Sequence, residues 1–465
     1  MKSVDELMAA AREAQAQINN YTQEQVDEMC LSAGWEVYND LNIDILARMA
    51  VEETGYGNYT SKVIKHKRKI GGVLHDIQGV RTVGCIEHDA KTGISKYAKP
   101  VGVICAILPA TNPTATCGGK AIGMLKCRNA VIFKPSSRAK DCTTEVVNMM
   151  RRGLERVGAP ADLLQVIELP EREATAELMA KADLIVATGS GPLVKAAYSS
   201  GTPAFVVGGG NAVVIIAEDA DLEDAAKKIH VSKTFDYAAS CSSENAAVII
   251  KSVYDKALDA FKKLHTHVCS AAEANTLQEY MFKRNKKGAL ALNPDVIAKS
   301  ALLIAENAGL SVSPDTTMII VESQDPPMTD PWPDEIISPV LVVYKANDMA
   351  QAIQTLKILT SRVGSGHSCG IHTFNRTYIE RLGMAMHTSR ITVRQPMSAA
   401  NGGHPFNRMP LTATLGYGTW GGNLTTENIY FKHFMNVTWV SEPVEPWSFT
   451  DDEMWGAFWK KYPKK

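Results

Sequence analysis

One cysteine of the sequence stands among residues that suit a nucleophile. Cys241 lies in the segment Ser-Lys-Thr-Phe-Asp-Tyr-Ala-Ala-Ser-Cys-Ser-Ser-Glu-Asn, residues 232–245, between a helical pattern and an apolar strand pattern. A core cysteine more often has large apolar neighbours, whereas small and polar residues surround this one, which indicates an accessible and reactive thiol. From these residues alone, a cysteine without a chemical role remains the alternative.

A second segment offers a group that can stabilise a developing negative charge. The sequence Leu-Pro-Ala-Thr-Asn-Pro-Thr, residues 108–114, follows an apolar run directly. Ligands of open α/β sheets bind beyond the carboxyl ends of the strands. The side-chain amide of Asn112 at such a place can donate a hydrogen bond to an oxyanion. Asn before Pro is more commonly part of a turn, so this alternative stays open.

Polar side chains also follow the next apolar run, residues 130–133. Lys134, Ser137 and Arg138 come after it in the order lysine, hydroxyl and arginine. Such a set can bind a ribose or its phosphate. An ordinary solvated loop is the alternative interpretation.

Two glycine-rich loops come after later apolar runs. Gly189, Ser190 and Gly191 precede a predicted helix, and the free N–H groups of a helix N-terminus bind anions. Gly209 is the centre of a Val-Gly-Gly-Gly-Asn segment, residues 207–211. Neither loop matches the GxGxxG pattern of standard dinucleotide-binding folds, so each is a weak indication by itself.

The elements that must position these residues are short apolar runs alternating with helical patterns. The runs between residues 100 and 217 are nearly continuous in apolar residues, as in parallel strands buried on both faces, and a similar alternation continues after Ala220. This pattern predicts a doubly wound α/β fold. Helices are predicted near the N-terminus, and a β-hairpin is predicted in residues 82–99. The predicted strands are residues 101–108, 130–133, 163–167, 184–187, 204–207, 213–216, 246–250, 317–321 and 340–344.

Length and composition exclude several classes of function. The 465 residues exceed what one hydrophobic core usually serves, so two or three domains are expected. A formal net charge of −1 gives no general attraction to nucleic acid or to a membrane surface. The longest nearly uncharged apolar stretch, residues 204–217, is too short to span a bilayer, and no secretory signal pattern is present, so we expect a cytoplasmic protein. The nine cysteines form no CxxC pair, which predicts neither a disulfide framework nor a metal site.

The last segment of the chain predicts a separate helix. Thr450 and Glu453 form a capping-box pattern, and Met, Trp, Phe and Trp make an apolar stripe over residues 454–459. We predict that this helix docks on the same chain or on a neighbouring subunit. Recruitment of another protein is the alternative.

Taken together and in this order, these segments resemble the aldehyde dehydrogenase superfamily, and most closely its CoA-acylating branch. The resemblance runs from about residue 4 to residue 440. The matching segments are Thr-Asn-Pro-Thr at 111–114, Arg-Ala-Lys-Asp at 138–141, Lys-Ala-Ala-Tyr-Ser-Ser-Gly at 195–201, Ser-Lys-Thr-Phe-Asp at 232–236, Leu-Gly-Tyr-Gly-Thr-Trp-Gly-Gly-Asn at 415–423 and Glu-Asn at 427–428.

The resemblance implies an aldehyde dehydrogenase-like α/β fold with two doubly wound α/β domains and a small β oligomerisation element. Residues 1–222 would form the NAD(P)-binding domain, with the oligomerisation hairpin at about residues 82–99. Residues 223–420 would form the catalytic domain that carries Cys241. Residues 421–465 would supply a closing segment, an oligomerisation strand and the C-terminal docking helix. A homodimer or homotetramer is implied.

Residue by residue, the resemblance makes Cys241 the nucleophile and places Asn112 with the Cys241 backbone N–H in an oxyanion hole. Glu335, in Glu-Ile-Ile-Ser-Pro, matches the acidic residue that the superfamily places on the nicotinamide ribose. The cofactor phosphates would lie near residues 189–191, and Gly209 would lie beside the cofactor.

NAD or NADP is the implied cofactor, and coenzyme A is the implied co-substrate. The Glu that often follows Lys-Pro-Ser in NAD-preferring relatives is replaced here by Ser137. Lys134, Ser137 and Arg138 together would tolerate a 2′-phosphate. This branch also uses NAD with similar loops, so the choice between the two stays open.

One departure from the hydrolytic enzymes of the superfamily bears on the reaction. Those enzymes have a Glu that activates water, whereas Val207 stands at the corresponding place here. A valine cannot accept a proton, so hydrolysis of a thioester on Cys241 loses a general base worth ~100-fold or more. The thioester would then persist until coenzyme A attacks it. A hydrolytic enzyme with a different base is the competing prediction.

The substrate prediction depends on Arg394, which stands where related sequences have Asn. Together with Asn401 and His404 it falls in the region that resembles the substrate entrance, and an arginine there can bind an anionic group. This predicts a short anionic aldehyde, with sulfoacetaldehyde first and succinate semialdehyde second. Acetaldehyde and propionaldehyde stay open. The alternative is that Arg394 binds the CoA phosphates or a neighbouring carboxylate.

Overall fold

Four helices begin the chain, and each has a polar side chain at its N-cap. The computed structural model describes residues 2–168, 171–285, 288–323 and 331–463. Ser3 and Thr22 form reciprocal capping boxes, and Asn39 and Asn58 each accept a hydrogen bond from a backbone N–H of the first turn. The helices are α1 Val4–Gln17, α2 Gln23–Trp35, α3 Asp40–Thr54 and α4 Tyr59–Ile77.

The predicted β-hairpin follows these helices. Strands β1 Gly84–Asp89 and β2 Ile94–Pro100 pair in antiparallel fashion. Gly93 in the turn has a φ of +63°, which favours glycine because it has no Cβ.

The next part of the chain forms a five-stranded parallel sheet. Its elements are β3 Val103–Ile107, α5 Pro113–Lys126, β4 Ala130–Lys134, α6 Lys140–Arg156, β5 Leu164–Val166, α7 Arg172–Lys181, β6 Leu184–Thr188, α8 Gly191–Tyr198 and β7 Ala204–Val207. The strand order is β5-β4-β3-β6-β7, so the chain winds from the central β3 to one edge and then to the other. The carboxyl end of β3 is therefore the point where such sheets bind ligands.

A seven-stranded parallel sheet forms the second half. Its elements, with the small antiparallel pair β11–β12, are β8 Ala212–Ile216, α9 Leu222–Thr234, β9 Glu244–Ile250, α10 Tyr254–Lys262, β10 Thr266–Val268, α11 Ala271–Met281, β11 Phe282–Arg284, β12 Leu290–Leu292, α12 Ala301–Ala308, β13 Met318–Ser323, β14 Val340–Ala346, α13 Met349–Arg362, β15 Cys369–His372, α14 Arg376–Ala385, β16 Ile391–Val393 and α15 Met397–Ala400. The order is β10-β13-β14-β9-β8-β15-β16. The predicted doubly wound α/β fold is confirmed.

The chain crosses between the two sheets earlier than the boundary at residue 222 that the sequence predicts. β7 ends at Val207 in the first sheet, and β8 begins at Ala212 in the second. The pairing of β8 with β9 and β15 assigns this strand to the second sheet. A fully apolar strand is compatible with either sheet, so its sequence could not decide this.

The C-terminal region adds a strand and a helix. β17 Met435–Ser441 pairs with β2 in antiparallel fashion, which completes a three-stranded sheet β1-β2-β17. α16 Asp451–Lys461 begins with the predicted capping box at Thr450. Trp455 and Phe458 are 47% and 53% exposed, and the docking of α16 on the same chain or on a neighbouring subunit stays a prediction.

Several negative findings apply to the described ranges. No helix in them is both long enough and apolar enough to cross a membrane. No group of three or more His, Cys, Asp or Glu side chains in them is placed to hold a metal ion. All nine cysteines are free thiols.

Candidate active site

The loop before Cys241 has an unusual backbone conformation. Residues 236–238 all have positive φ, between +52° and +59°, although none is glycine. This region is costly for residues with a Cβ and persists only where neighbouring contacts stabilise it. The fully buried carboxylate of Asp236 supplies such contacts, because Lys62 and Lys65 both donate hydrogen bonds to it. The cysteine loop is thereby attached to α4.

The thiol of Cys241 contacts a histidine that is distant in the sequence. His367 Nε2 lies 3.2 Å from Cys241 Sγ, and the two residues are 126 positions apart. Burial raises the pKa of the Cys241 thiol to about 12, and burial lowers the pKa of His367 to about 3. Both side chains are therefore uncharged at neutral pH, and the imidazole Nε2 lies within hydrogen-bond distance of the thiol.

Several contacts hold the His367 ring in this orientation. Ser368 Oγ lies 2.7 Å from Nδ1, and the Tyr417 ring meets the imidazole edge-on with centroids 4.8 Å apart. Arg390 Nη1 donates to the His367 carbonyl oxygen at 3.0 Å. Since His367 is completely buried, these contacts direct Nε2 at Cys241.

His367 is a candidate functional residue that the sequence analysis did not name. The available signal was the glycine-rich segment 364–370, in which this histidine stands just before β15. A Cβ at Gly366 would lie 2.1 Å from the Tyr417 carbonyl oxygen, so the loop can pack there only without a side chain. Such glycines indicate close packing of a loop, but they do not reveal which residue the loop packs against.

The side chain of Asn112 is not used by the local structure. Asn112 is the N-cap residue of α5, yet its side chain makes no capping hydrogen bond. Its Oδ1 is buried and has no hydrogen-bond partner among the described residues. Asn112 and Cys241 line the same cavity. The Asn112 side chain therefore lies in the cavity that Cys241 lines, where the oxyanion prediction places it.

This cavity, of about 100 Å³, lies between the two sheets. Val207, Leu415 and Tyr417 pack together as its apolar wall, and Val207 is only 4% exposed. None of the described residues that line it has a carboxylate. The lining residues are Lys65, Arg68, Lys69, Pro109, Thr111, Asn112, Thr116, Thr188, Val207, Phe235, Ala239, Ser240, Cys241, Ser242, Ser398, Gly402, Thr412, Ala413, Leu415 and Tyr417.

The glycine loop after Val207 passes close to the cysteine. A Cβ on Gly210 would lie 2.3 Å from the Cys241 carbonyl oxygen, and one on Gly209 would lie 2.9 Å from Glu335 Oε2. The N–H of Gly210 donates to Glu335 Oε1 at 3.1 Å, and burial raises the pKa of Glu335 to about 7. Gly209 and Glu335, both predicted to contact the cofactor, are thus brought together beside Cys241.

The other predicted cofactor residues lie beyond the carboxyl ends of the two strands that flank β3. Lys134 is the last residue of β4, and Ser137 and Arg138 follow it in an exposed turn. Residues 189–191 connect β6 to α8, and the side chain of Ser190 makes no capping hydrogen bond. The structure therefore brings both groups to the same end of the first sheet, where Arg138 Nη1 also donates to the Tyr56 hydroxyl at 3.1 Å.

One face of α4 is basic and lines the cavity. Lys65, Arg68 and Lys69 are spaced i, i+3 and i+4, which places them on the same side of the helix. Burial lowers the pKa of Lys65 to about 8 and that of Lys69 to about 7. The sequence analysis did not identify this face, although the spacing within Lys-His-Lys-Arg-Lys, residues 65–69, was a signal.

Arg394, the residue on which the substrate prediction depended, does not line this cavity. Its Nη1 donates to the Thr373 carbonyl oxygen at 2.6 Å, and its guanidinium lies 4.5 Å from the centroid of the Phe374 ring. Arg394 itself has a positive φ of +51°. The structure thus holds this arginine against a neighbouring loop, apart from the residues around Cys241.

Asn401 and His404 also lie outside the set of lining residues. Asn401 is fully buried, and its Nδ2 donates to Ser368 Oγ at 3.2 Å. Since Ser368 in turn contacts His367, Asn401 supports the histidine rather than the cavity surface. The His404 ring stacks on Phe406 with centroids 3.9 Å apart.

Comparison with known proteins identifies the family of this chain. A family model described as the aldehyde dehydrogenase family matches residues 1–407. The acylating sulfoacetaldehyde dehydrogenase of Bilophila wadsworthia is 64% identical over 464 residues, which covers 100% of each chain.

Two solved structures have the same overall architecture. An acetylating aldehyde dehydrogenase from Geobacillus thermoglucosidasius has a TM-score of 0.91 and 33% identity, covering 96% of this chain and 98% of that one. The propionaldehyde dehydrogenase of Rhodopseudomonas palustris with bound propionyl-CoA has a TM-score of 0.85 and 27% identity, covering 95% and 94% of the two chains.

Proposed function

The chain belongs to the aldehyde dehydrogenase family, and we propose that it is a CoA-acylating enzyme that oxidises sulfoacetaldehyde to its acyl-CoA. The observation that carries this proposal is the cavity around Cys241. It contains a cysteine in contact with a histidine, but no carboxylate among its described lining residues. Such a site can form a thioester, and its described lining residues include no carboxylate of the kind that activates water in the hydrolytic enzymes. The 64% identity to an acylating sulfoacetaldehyde dehydrogenase over the whole chain agrees with this reaction.

The residues present fit a nicotinamide dinucleotide. Lys134, Ser137 and Arg138 would hold the adenosine ribose, and the backbone of residues 189–191 would face the phosphates. Glu335, beside Cys241, would hold the nicotinamide ribose. When bound, NAD(P)⁺ accepts the hydride that leaves the aldehyde carbon. The exposed Arg138 is compatible with a 2′-phosphate, so both NAD and NADP remain within the proposal.

In the first half of the reaction, Cys241 Sγ adds to the aldehyde carbon. His367 Nε2, at 3.2 Å, accepts the thiol proton. The amide of Asn112 and the backbone N–H of Cys241 donate hydrogen bonds to the oxygen as it becomes negative. Loss of a hydride from the carbon then leaves an acyl thioester on Cys241, and the proton on His367 is released to solvent.

In the second half, the thiol of coenzyme A attacks the thioester carbonyl. His367 accepts the thiol proton of coenzyme A and returns it to the Cys241 thiolate as the acyl-CoA leaves. The sum is aldehyde, CoA and NAD(P)⁺ to acyl-CoA, NAD(P)H and one proton. Because one thioester is exchanged for another, the free-energy change of the acyl transfer is close to zero, and the enzyme works in both directions.

The charge of the cavity supports an anionic aldehyde as the substrate. Lys65, Arg68 and Lys69 line it, and no described lining residue carries a negative charge. A sulfonate at the far end of a two-carbon aldehyde would be attracted to this face. Neutral aldehydes such as acetaldehyde and propionaldehyde would gain no binding energy from this basic face.

The proposal includes a homo-oligomeric assembly and a cytoplasmic location. The hairpin and β17 form a sheet in which Trp439 is 61% exposed, and such an apolar edge supports a homodimer or homotetramer. Nine free cysteines suit the reducing cytoplasm, where both coenzyme A and NAD(P) are available.

The test follows the absorbance of the reduced cofactor with purified enzyme and each of four aldehydes, in the presence and absence of coenzyme A. Sulfoacetaldehyde is expected to be the best substrate of a panel with succinate semialdehyde, propionaldehyde and acetaldehyde. Turnover is expected to require CoA, and the acyl-CoA product is identified by mass spectrometry. Equal accumulation of reduced cofactor without CoA would show a hydrolytic enzyme instead.

A further inference from the structure

We propose that Arg68 binds the negatively charged end of the aldehyde substrate and thereby selects anionic aldehydes. This inference rests on the proposed function, because it assigns the residue that recognises the sulfonate. Arg68 lies on α4 and lines the same cavity as Cys241. No motif of the sequence identified it.

The guanidinium of Arg68 is available to a ligand. Its Nε is buried and has no hydrogen-bond partner among the described residues. Its guanidinium carbon lies 5.2 Å from the centroid of the Phe235 ring, which holds the group by one face and leaves its N–H edge free. Burial lowers the pKa of Arg68, and no neighbouring carboxylate opposes this effect. A half-buried cation without an anionic partner is destabilising, and an anionic ligand would offset part of that destabilisation.

The other two basic residues of this face already have partners. Lys65 donates to the Asp236 carboxylate and, at 3.3 Å, to the Ala239 carbonyl oxygen. Lys69 donates to the carbonyl oxygens of Gly402 at 3.0 Å and Thr412 at 2.6 Å. Both lysines therefore hold the loops of the cavity in place, while Arg68 remains free to bind.

The shape of an arginine suits this ligand. A guanidinium presents several N–H donors in one plane and binds two oxygens of a sulfonate or carboxylate at once. An aldehyde whose carbonyl carbon lies at Cys241 and whose charged end lies at Arg68 would be held at both ends of the cavity. Such two-point binding orients the carbonyl toward Asn112.

The experiment compares Arg68→Met with the wild type, using sulfoacetaldehyde and the neutral propionaldehyde in the CoA-dependent assay. For sulfoacetaldehyde, kcat/KM is expected to fall roughly 10- to 100-fold, mainly through KM, because a charge-assisted hydrogen bond is lost. For propionaldehyde, kcat/KM is expected to stay within about threefold, which also shows that the variant is folded. Arg68→Lys keeps the positive charge but loses the planar set of N–H donors, so its kcat/KM for sulfoacetaldehyde should lie between those of the wild type and Arg68→Met.

Inhibition by ethanesulfonate gives a second readout, because this compound has no aldehyde group and cannot itself react with Cys241. This short sulfonate should compete with sulfoacetaldehyde in the wild type, and its inhibition constant should rise at least tenfold in Arg68→Met. Lys67→Met is the matched control, because Lys67 lies on the same helix but pairs with Asp40 outside the cavity. This variant removes one positive charge from α4 and should leave both kcat/KM for sulfoacetaldehyde and the inhibition constant of ethanesulfonate unchanged.

The outcomes separate the inference from the proposed function. If the wild type shows no CoA-dependent turnover of any aldehyde, the proposed function fails. If the wild type is active but Arg68→Met loses both aldehydes equally, or raises the KM for coenzyme A alone, the assignment of Arg68 is overturned while the reaction stands. A selective loss for sulfoacetaldehyde in Arg394→Met, with Arg68→Met unaffected, would also overturn it.

Discussion

His367 Nε2 lies 3.2 Å from Cys241 Sγ, although 126 residues separate the two in the sequence. The glycine-rich loop before β15 carries the histidine, and the loop before β9 carries the cysteine. Both strands belong to the second sheet and are parallel, with only β8 between them. The amino ends of β9 and β15 therefore lie at the same end of the second sheet. This end faces the ligand-binding end of the first sheet.

Replacement of His367 is expected to slow acylation. In His367→Ala, kcat/KM for the aldehyde should fall by ~10²-fold or more, because no group then accepts the thiol proton. Added imidazole should restore part of the rate, since a small base can occupy the vacated space. A purely structural role would give a variant with a lowered melting temperature and no rescue.

The reactivity of Cys241 in the enzyme without ligands is expected to rise steeply with pH. Because burial raises the pKa of this thiol to about 12, the thiolate fraction increases through the whole range below that value. Alkylation by iodoacetamide, followed by mass spectrometry of the Cys241 peptide, should therefore accelerate about tenfold per pH unit up to pH 10. A rate that levels off near pH 8.5, as for a free cysteine, would contradict the raised pKa.

Introduction of a carboxylate at position 207 is expected to change the product. Val207→Glu places a proton acceptor on the cavity wall, so CoA-independent oxidation to the free acid should rise by ~10-fold or more. Val207→Gln is the matched control, because it has the same shape without the proton acceptor. The free acid is quantified by NMR, and equal hydrolysis in the two variants would show that the carboxylate is not the cause.

Removal of the Asn112 amide is expected to affect the chemical step. In Asn112→Ala, kcat should fall by ~10²- to 10³-fold while KM for the aldehyde changes little, as for other oxyanion donors. The melting temperature should hardly change, because the side chain makes no capping hydrogen bond with α5. A large loss of stability with unchanged kcat would instead indicate a structural role.

Neutralising Asp236 is expected to destabilise the protein. Asp236→Asn leaves Lys62 and Lys65 buried without their anionic partner, which costs about 3–5 kcal/mol for a broken buried ion pair. The free energy of unfolding in urea measures this loss. Asp40→Asn is the matched control, because Asp40 pairs with Lys67 on the surface and its side chain is 92% exposed. Similar losses in both variants would contradict the role of the buried pair.

Local patterns in the sequence were sufficient for much of this protein. The capping residue Thr450 predicted the start of the last helix, and continuous apolar runs predicted the five strands of the first sheet and four of the seven in the second. The small polar neighbours of Cys241 indicated a reactive thiol. Acyl transfer was implied by the resemblance to the aldehyde dehydrogenase superfamily, in which Val207 replaces the Glu of the hydrolytic enzymes. These features depend on residues that are close in the chain, so the sequence alone could determine them.

The tertiary structure decided which distant residues meet. Three features depend on how the two sheets and α4 pack together. They are the contact of Cys241 with His367, the position of β8 in the second sheet and the exposure of Arg68 to the cavity. Arg394 was a reasonable anion-binding residue by its position in the chain, yet contacts with a neighbouring loop hold it elsewhere. The physical reason is that side-chain chemistry is local to the sequence, whereas strand order and packing set the distances between segments.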